Sequence, residues 1–218
     1  LPFTSKNDLL NSPEHPERAK EFLLLPDPAV LRRRPSILLK ALTRGREWAR
    51  RDLEDEYQPL LLTSTTGRSA DPVPFLYTRR DIDNLRTNGG RVIDLGNRST
   101  GDRMLNLFPY APHLAYWLTH YAARSRNLFS MGTGGGKVMG TDGNLDMLEK
   151  VRPTILIGMP TFLYHVLHKG VQEGRKLESL GCIVLGGEKV APGTRRKLAF
   201  LANELGSGEI TTLATYGF

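Results

Sequence analysis

Four short segments of the 218-residue sequence carry residue types that suit phosphate or flat-ring binding. The first is TSTTGRS, Thr63 to Ser69, which directly follows the apolar run LLLT. Backbone N–H groups and Ser/Thr hydroxyls in such a loop can surround phosphate oxygens, and Arg68 adds charge. A polar surface turn has the same composition. The second, SMGTGGGKVMG from Ser130 to Gly140, imitates a phosphate-binding P-loop but fails its spacing. A Gly at 131 and a Ser or Thr at 138 would be needed, where the chain has Met131 and Val138. It reads as a flexible loop or a strand-to-helix connection, with the next helix about ten residues on. The third is LGGEKVAPG, Leu185 to Gly193. Its paired glycines allow close approach of backbone to a flat ligand, Glu188 offers an acceptor, and Pro192 suits a first helical turn. The fourth is TYGF, Thr215 to Phe218, where Tyr216 offers a stacking face or simply packs in the core.

Other reactive types give less. His113 follows PYAP at the start of a predicted helix and is placed to reach a pocket. His15 sits among prolines, and His120, His165 and His168 lie in predicted helices with no third ligand beside them. The spacing selects neither a metal site nor a Ser-His-Asp arrangement. Cys182, the one cysteine, opens an apolar strand and reads as an inert core residue; it excludes an internal disulfide framework and suits a reducing compartment.

For these loops to act together, strands must bring them to one edge. MLNLF (104–108), NLFS (127–130), TILIG (154–158), CIVL (182–185) and EITTLAT (209–215) read as strands, as does LLLT (60–63). Helices are predicted over about 113–125, 144–151, 161–172 and 193–205. Short apolar strands separated by helices imply an α/β fold, a largely parallel sheet with helices on both faces. Ligands then sit beyond the carboxyl ends of the strands. Residues 1–59 read as a mostly helical, Pro-rich opening segment, and 60–218 as an α/β domain. Ser36 is placed to cap a helix from Ile37 whose apolar stripe is Leu38, Ala41, Leu42, Trp48 and Leu53, weakened at Gly45.

The formal net charge is +7, with 39% hydrophobic residues, an ordinary composition for a folded chain. Residues 31–51 hold eight basic residues against Glu47 alone, so this stretch accounts for the whole excess. The remainder is formally neutral, which speaks against general nucleic-acid binding. No run of about 18 apolar residues is present to span a membrane. The first ten residues, LPFTSKNDLL, lack a signal-peptide layout and an initiator Met, so a trimmed or partial cytoplasmic chain is expected.

The order of the loops resembles the adenylate-forming superfamily, and within it the phenylacetate–CoA ligase branch: a Ser/Thr/Gly loop, then GGE after a later strand, then YG after the next. LPFTSKNDL and RPTILIGMPTFLYHVL are also similar to that branch. The resemblance implies ATP-dependent activation of a carboxylic acid, an aryl acid among the candidates, to an acyl-adenylate, then transfer to coenzyme A or a carrier thiol, with Mg²⁺. It implies that Ser64, Thr65, Thr66 and Gly67 hold the ATP phosphates with Arg68 nearby. Gly186, Gly187 and Glu188 would border the adenine, Tyr216 and Gly217 would complete that wall, and Tyr110 and His113 would line the acyl pocket. A homodimer is compatible with it.

The chain departs from the family pattern in two places. Ser64 stands where the phosphate loop usually has Gly, and RSADP replaces the usual continuation. The chain also ends at Phe218, where the family continues with Thr-Glu. The Mg²⁺-holding Glu, the ribose-binding Asp and the catalytic Lys of the C-terminal domain are expected outside it, so this chain reads as an incomplete N-terminal domain, inactive alone and with no metal ligand of its own. The alternatives are a degenerate, non-catalytic nucleotide- or acyl-binding member, and an anion-binding module acting through residues 31–51.

Overall fold

The computed structural model describes residue 8, residues 11–16, residue 18, and residues 27–65 and 72–215. It divides into two compact units, Leu1–Ile82 and Asp83–Phe218.

In the first unit, α1 (Pro28–Arg32), α2 (Pro35–Arg44) and α3 (Arg46–Tyr57) are followed by β1 (Pro59–Ser64) and β2 (Pro74–Thr78). Asp27 caps α1 by accepting from the Ala29 N–H at 2.8 Å. The helix expected to run unbroken from Ile37 is two helices, because Gly45 takes φ 94° and turns the chain between them. Pro35, not Ser36, sets the start of α2, with Arg34 at the cap position. The expected apolar stripe is also rearranged: Ile37 and Ala49 are buried, whereas Leu38, Leu42 and Trp48 are exposed. Arg44 lies over the Trp48 ring at 4.5 Å.

LLLT is a strand, but not of the parallel sheet. It belongs to β1, which pairs antiparallel with β2, Leu62 opposite Leu76. Nine residues separate the two strands, fewer than the crossover of a parallel pair requires.

The second unit confirms the α/β prediction. The helix α4 (Arg79–Leu95), whose first turn contains the boundary between units, leads to β3 (Arg103–Asn106), α5 (Leu114–Ser125), β4 (Phe129–Gly132), α6 (Gly136–Val151), β5 (Ile155–Gly158), α7 (Pro160–Gln172), β6 (Cys182–Leu185), α8 (Pro192–Glu204) and β7 (Thr211–Ala214). The five strands form one sheet in the order β4-β3-β5-β6-β7, and every neighbouring pair is parallel. The two-residue period of a strand sorts the core into two layers. Leu105, Leu156, Ile183 and Leu185 pack with Leu145 and Leu148 of α6, Leu163 and Leu167 of α7 and Leu198 and Leu201 of α8. Met104, Ile155, Ile157, Cys182 and Val184 face the other way, against Ile93 of α4 and Ala122 and Ala123 of α5.

α4 and β2 were not anticipated, and α6 begins at Gly136 rather than near 144. The reason lies in glycines. Gly134 and Gly135 take positive φ just before α6, and Gly140 breaks its first turn at φ 62°. Asn144 ties the segment together, donating from Nδ2 to the Gly140 carbonyl at 2.5 Å. Among the described residues, no helix is long and apolar enough to cross a membrane.

Candidate active site

The strand order creates a crevice. From β3 the chain leaves to α5 on one face of the sheet, and from the adjacent β5 it leaves to α7 on the other. Connections that diverge from neighbouring parallel strands open a gap at their carboxyl ends.

Phe108, two residues past β3, and Met159, one past β5, enter this gap, and Gly186 and Gly187 follow β6. A Cβ on Gly186 would stand 2.8 Å from Thr215 Oγ1 and 3.4 Å from the Phe108 ring. A Cβ on Gly187 would stand 3.4 Å from Met159 Cγ and 3.7 Å from the same ring, and its φ of 78° is one that glycine adopts freely. Thr215 is anchored by its N–H and hydroxyl, which donate to the Leu185 carbonyl at 2.7 and 3.1 Å. The result is a ledge of bare backbone over which Thr215, the Phe108 ring and the Met159 thioether close.

Glu188 does not face the crevice freely. Its carboxylate accepts from the Thr161 N–H at 3.1 Å and the Thr161 hydroxyl at 2.6 Å. Met159, the cap residue of α7, makes no side-chain cap bond, so Glu188 closes that helix start from a distance. A carboxylate there also complements the positive end of the helix dipole.

On the β4 side, Tyr110 donates its hydroxyl to the Gly132 carbonyl at 2.8 Å and meets Tyr116 edge to face at 4.8 Å. His113 is the cap residue of α5. Ser64 and Thr65 lie in the first unit, at the end of β1. The Thr65 N–H donates to the Val73 carbonyl at 3.1 Å, and its hydroxyl accepts from the Val73 N–H at 3.0 Å. These bonds close the neck of a hairpin loop. Thr66, Gly67, Arg68, Tyr216 and Gly217 lie outside the described residues.

Gly186, Gly187, Tyr110 and His113 thus share the carboxyl edge of one sheet, as predicted from their positions after strands. Phe108, Met159 and Thr215 were not anticipated as site residues. Their signal was available, since each follows within two residues of a strand end. Asn106 was also missed. It is buried, and its Nδ2 donates to Thr119 Oγ1 at 2.5 Å while its Oδ1 accepts from the Phe108 N–H at 3.0 Å, which fixes the direction in which Phe108 leaves the sheet.

Among the described residues no three His, Cys, Asp or Glu side chains cluster in a way that would hold a metal.

No protein-family model matches the chain, and no curated protein matches it in sequence. Solved structures do. A 2-hydroxyisobutyryl-CoA ligase in the postadenylation state, in complex with 2-HIB-AMP, superimposes with a TM-score of 0.63 at 16% identity, covering 73% of this chain and 33% of the ligase. The adenylation domain of a keto acid-selecting NRPS module, bound to keto acyl adenylate, gives 0.60 at 16% identity over 74% of this chain and 29% of that one. An o-succinylbenzoate-CoA synthetase from Bacillus subtilis, bound with a product analogue, gives 0.55 at 16% identity over 75% and 30%. The chain therefore spans about a third of the length of these proteins, and over roughly three quarters of its own length it shares the fold of part of each.

Proposed function

We propose that this protein is an acid–thiol ligase: it activates a carboxylic acid with ATP to an acyl-adenylate and passes the acyl group to a thiol such as coenzyme A. The observation that carries this reading is the ledge of Gly186 and Gly187 beside Phe108 and Met159, at the switch point of a sheet shared with acyl-CoA ligases and adenylation domains. Two of those neighbours hold acyl-adenylates, and that is the ligand class we assign to this crevice.

In this reading the base lies on the ledge, with Glu188 acting from beneath by holding the start of α7 rather than by touching the ring. Tyr216 and Gly217 complete the wall. Ser64, Thr65, Thr66, Gly67 and Arg68 wrap the phosphates, and Tyr110 and His113 border the acyl side. Attack of a carboxylate on phosphorus needs positioning and charge neutralisation more than a protein nucleophile. The chain's part is accordingly to orient, with Arg68 the charge nearest the phosphates. No step is assigned to Mg²⁺. We place the protein in the phenylacetate–CoA ligase-like branch, acting in the cytoplasm.

The test is pyrophosphate exchange into ATP by the full-length protein, across aryl and aliphatic acids. Acid-dependent exchange is expected. Absence of exchange with every acid, together with absence of ATP binding, overturns the proposal.

A further inference from the structure

A second cavity lies beside the crevice, between α5 and the strands β3 and β4. Its volume is about 120 Å³, and it is lined by Met104, Asn106, Tyr116, His120, Ser130, Met131 and Gly132. The periodicities explain the lining. Met104 pairs with Ser130 and Asn106 with Gly132 in the parallel register, so these alternate residues share the sheet face that meets α5. Tyr116 and His120 stand one helical turn apart, and their rings stack at 6.1 Å and 18°. A Cβ on Gly132 would stand 2.6 Å from the Tyr116 ring and 2.9 Å from its hydroxyl, so glycine is what lets this ring lie flat over β4. Tyr110, whose hydroxyl donates to the Gly132 carbonyl, packs its ring against Tyr116.

The lining mixes polar groups with Met104, Met131 and Gly132 and carries no charge. Asn106 is fully engaged with Thr119, Tyr116 and Phe108. The hydroxyls of Tyr116 and Ser130 and the imidazole of His120, in contrast, make no hydrogen bond to a described protein group. Burial, and secondarily Arg124 one turn on, lowers the His120 pKa, so the ring faces the cavity as a neutral donor and acceptor. No Asp, Glu, Lys or Arg lines the space, which disfavours a second carboxylate or an ammonium group. The volume corresponds to roughly four water molecules at about 30 Å³ each. A phenyl ring placed there would leave three polar groups unpaired, each at a cost of about 1–3 kcal/mol.

We propose that this cavity receives the tail of the acid, and that it selects a short, neutral, hydroxylated acyl chain over an aryl or plain alkyl one. The proposal rests on the ligase reading for the identity of the ligand as an acid. Tyr116, His120 and Ser130 are then the specificity-determining residues, exchanging hydrogen bonds with the tail hydroxyl. A site built to bond a hydroxyl discriminates strongly against the analogue that lacks it.

The test uses three acids: 3-hydroxybutyrate, butyrate of the same skeleton, and phenylacetate. Binding to the chain is measured without ATP by saturation-transfer NMR and competition. We expect 3-hydroxybutyrate to bind at least tenfold more tightly than butyrate, and phenylacetate more weakly than 3-hydroxybutyrate. In Ser130→Ala, and in His120→Phe with Ser130→Ala, the ratio of hydroxybutyrate to butyrate should fall toward one. The single variant removes one hydroxyl from a partly exposed strand and guards against a fold defect in the double. Equal or tighter binding of butyrate or phenylacetate overturns the proposal, as does failure of all three to bind, or a ratio unchanged in both variants. Pyrophosphate exchange by the full-length protein separates the two claims. Exchange with phenylacetate but not 3-hydroxybutyrate removes the specificity inference and leaves the ligase; selective hydroxybutyrate binding without exchange for any acid does the reverse.

Discussion

Glu188 illustrates how one side chain can be claimed by two roles. Its carboxylate is committed to Thr161 at the start of α7. Removing it in Glu188→Ala should cost about 1 kcal/mol of stability, the usual worth of a helix cap, while Glu188→Gln, which keeps an acceptor, should lose less. Urea denaturation checks both. If the carboxylate instead binds the nucleotide directly, the Ala variant will lose ATP affinity with its midpoint unchanged. Gly186 is the sharper probe of the ledge. Gly186→Val places carbon where Thr215 Oγ1 and the Phe108 ring already stand, and ATP affinity should fall at least tenfold by equilibrium dialysis. Cys182 tests the core beneath. Burial raises its thiol pKa above the ordinary range, with the nearby Arg98 opposing. The thiol form is favoured by folding, so stability should hold at neutral pH and decline as pH rises past the ordinary thiol pKa toward the folded one. Unfolding midpoints measured from pH 7 to 10 should show that fall, and the thiol should react with a disulfide reagent only on unfolding.

Elements differ in how plainly the sequence announces them. The strands β3, β5 and β6 are buried on both faces and therefore read as short continuous apolar runs; TILIG and CIVL lie within two residues of β5 and β6. α4 does not announce itself, because Gly89 and Gly90 interrupt its middle and lower its helix propensity by about 1 kcal/mol each. Both are buried, and a Cβ on Gly89 would stand 2.7 Å from Ala122 Cβ and 3.0 Å from its Cα. The glycines are where α5 comes closest, a tertiary demand that no local pattern reveals. Gly89→Ala should thus destabilise the protein by about 1–3 kcal/mol, against the gain expected for an exposed helix position. Chemical denaturation decides the sign. The same logic explains the site. The glycines and Tyr110 were legible because they follow strands, but Tyr116 and His120 face β4 only through helix packing, and nothing in their spacing singles out Ser130 as their partner.

At the scale of the whole molecule, the net charge of +7 is concentrated in residues 31–51, within α1–α3, rather than in the sheet. Arg34, Lys40 and Arg50 pair with Glu56, Asp52 and Glu54. Arg32, Arg33, Arg46 and Arg51 are exposed and have no acidic partner among the described residues. Changing these four to Gln should alter stability by no more than about 0.5 kcal/mol per site and leave ATP affinity within twofold, because exposed charges without built contacts contribute little. A tenfold loss of ATP affinity would assign the basic surface to the nucleotide. The central claim, that the carboxyl edge of the parallel sheet is the nucleotide site, is tested most directly by titrating ATP into the isotopically labelled chain and following its backbone amides. The account predicts that Phe108, Met159, Gly186, Gly187 and Thr215 shift together with one affinity. Shifts confined to α1–α3, or none in this group at millimolar ATP, would contradict it.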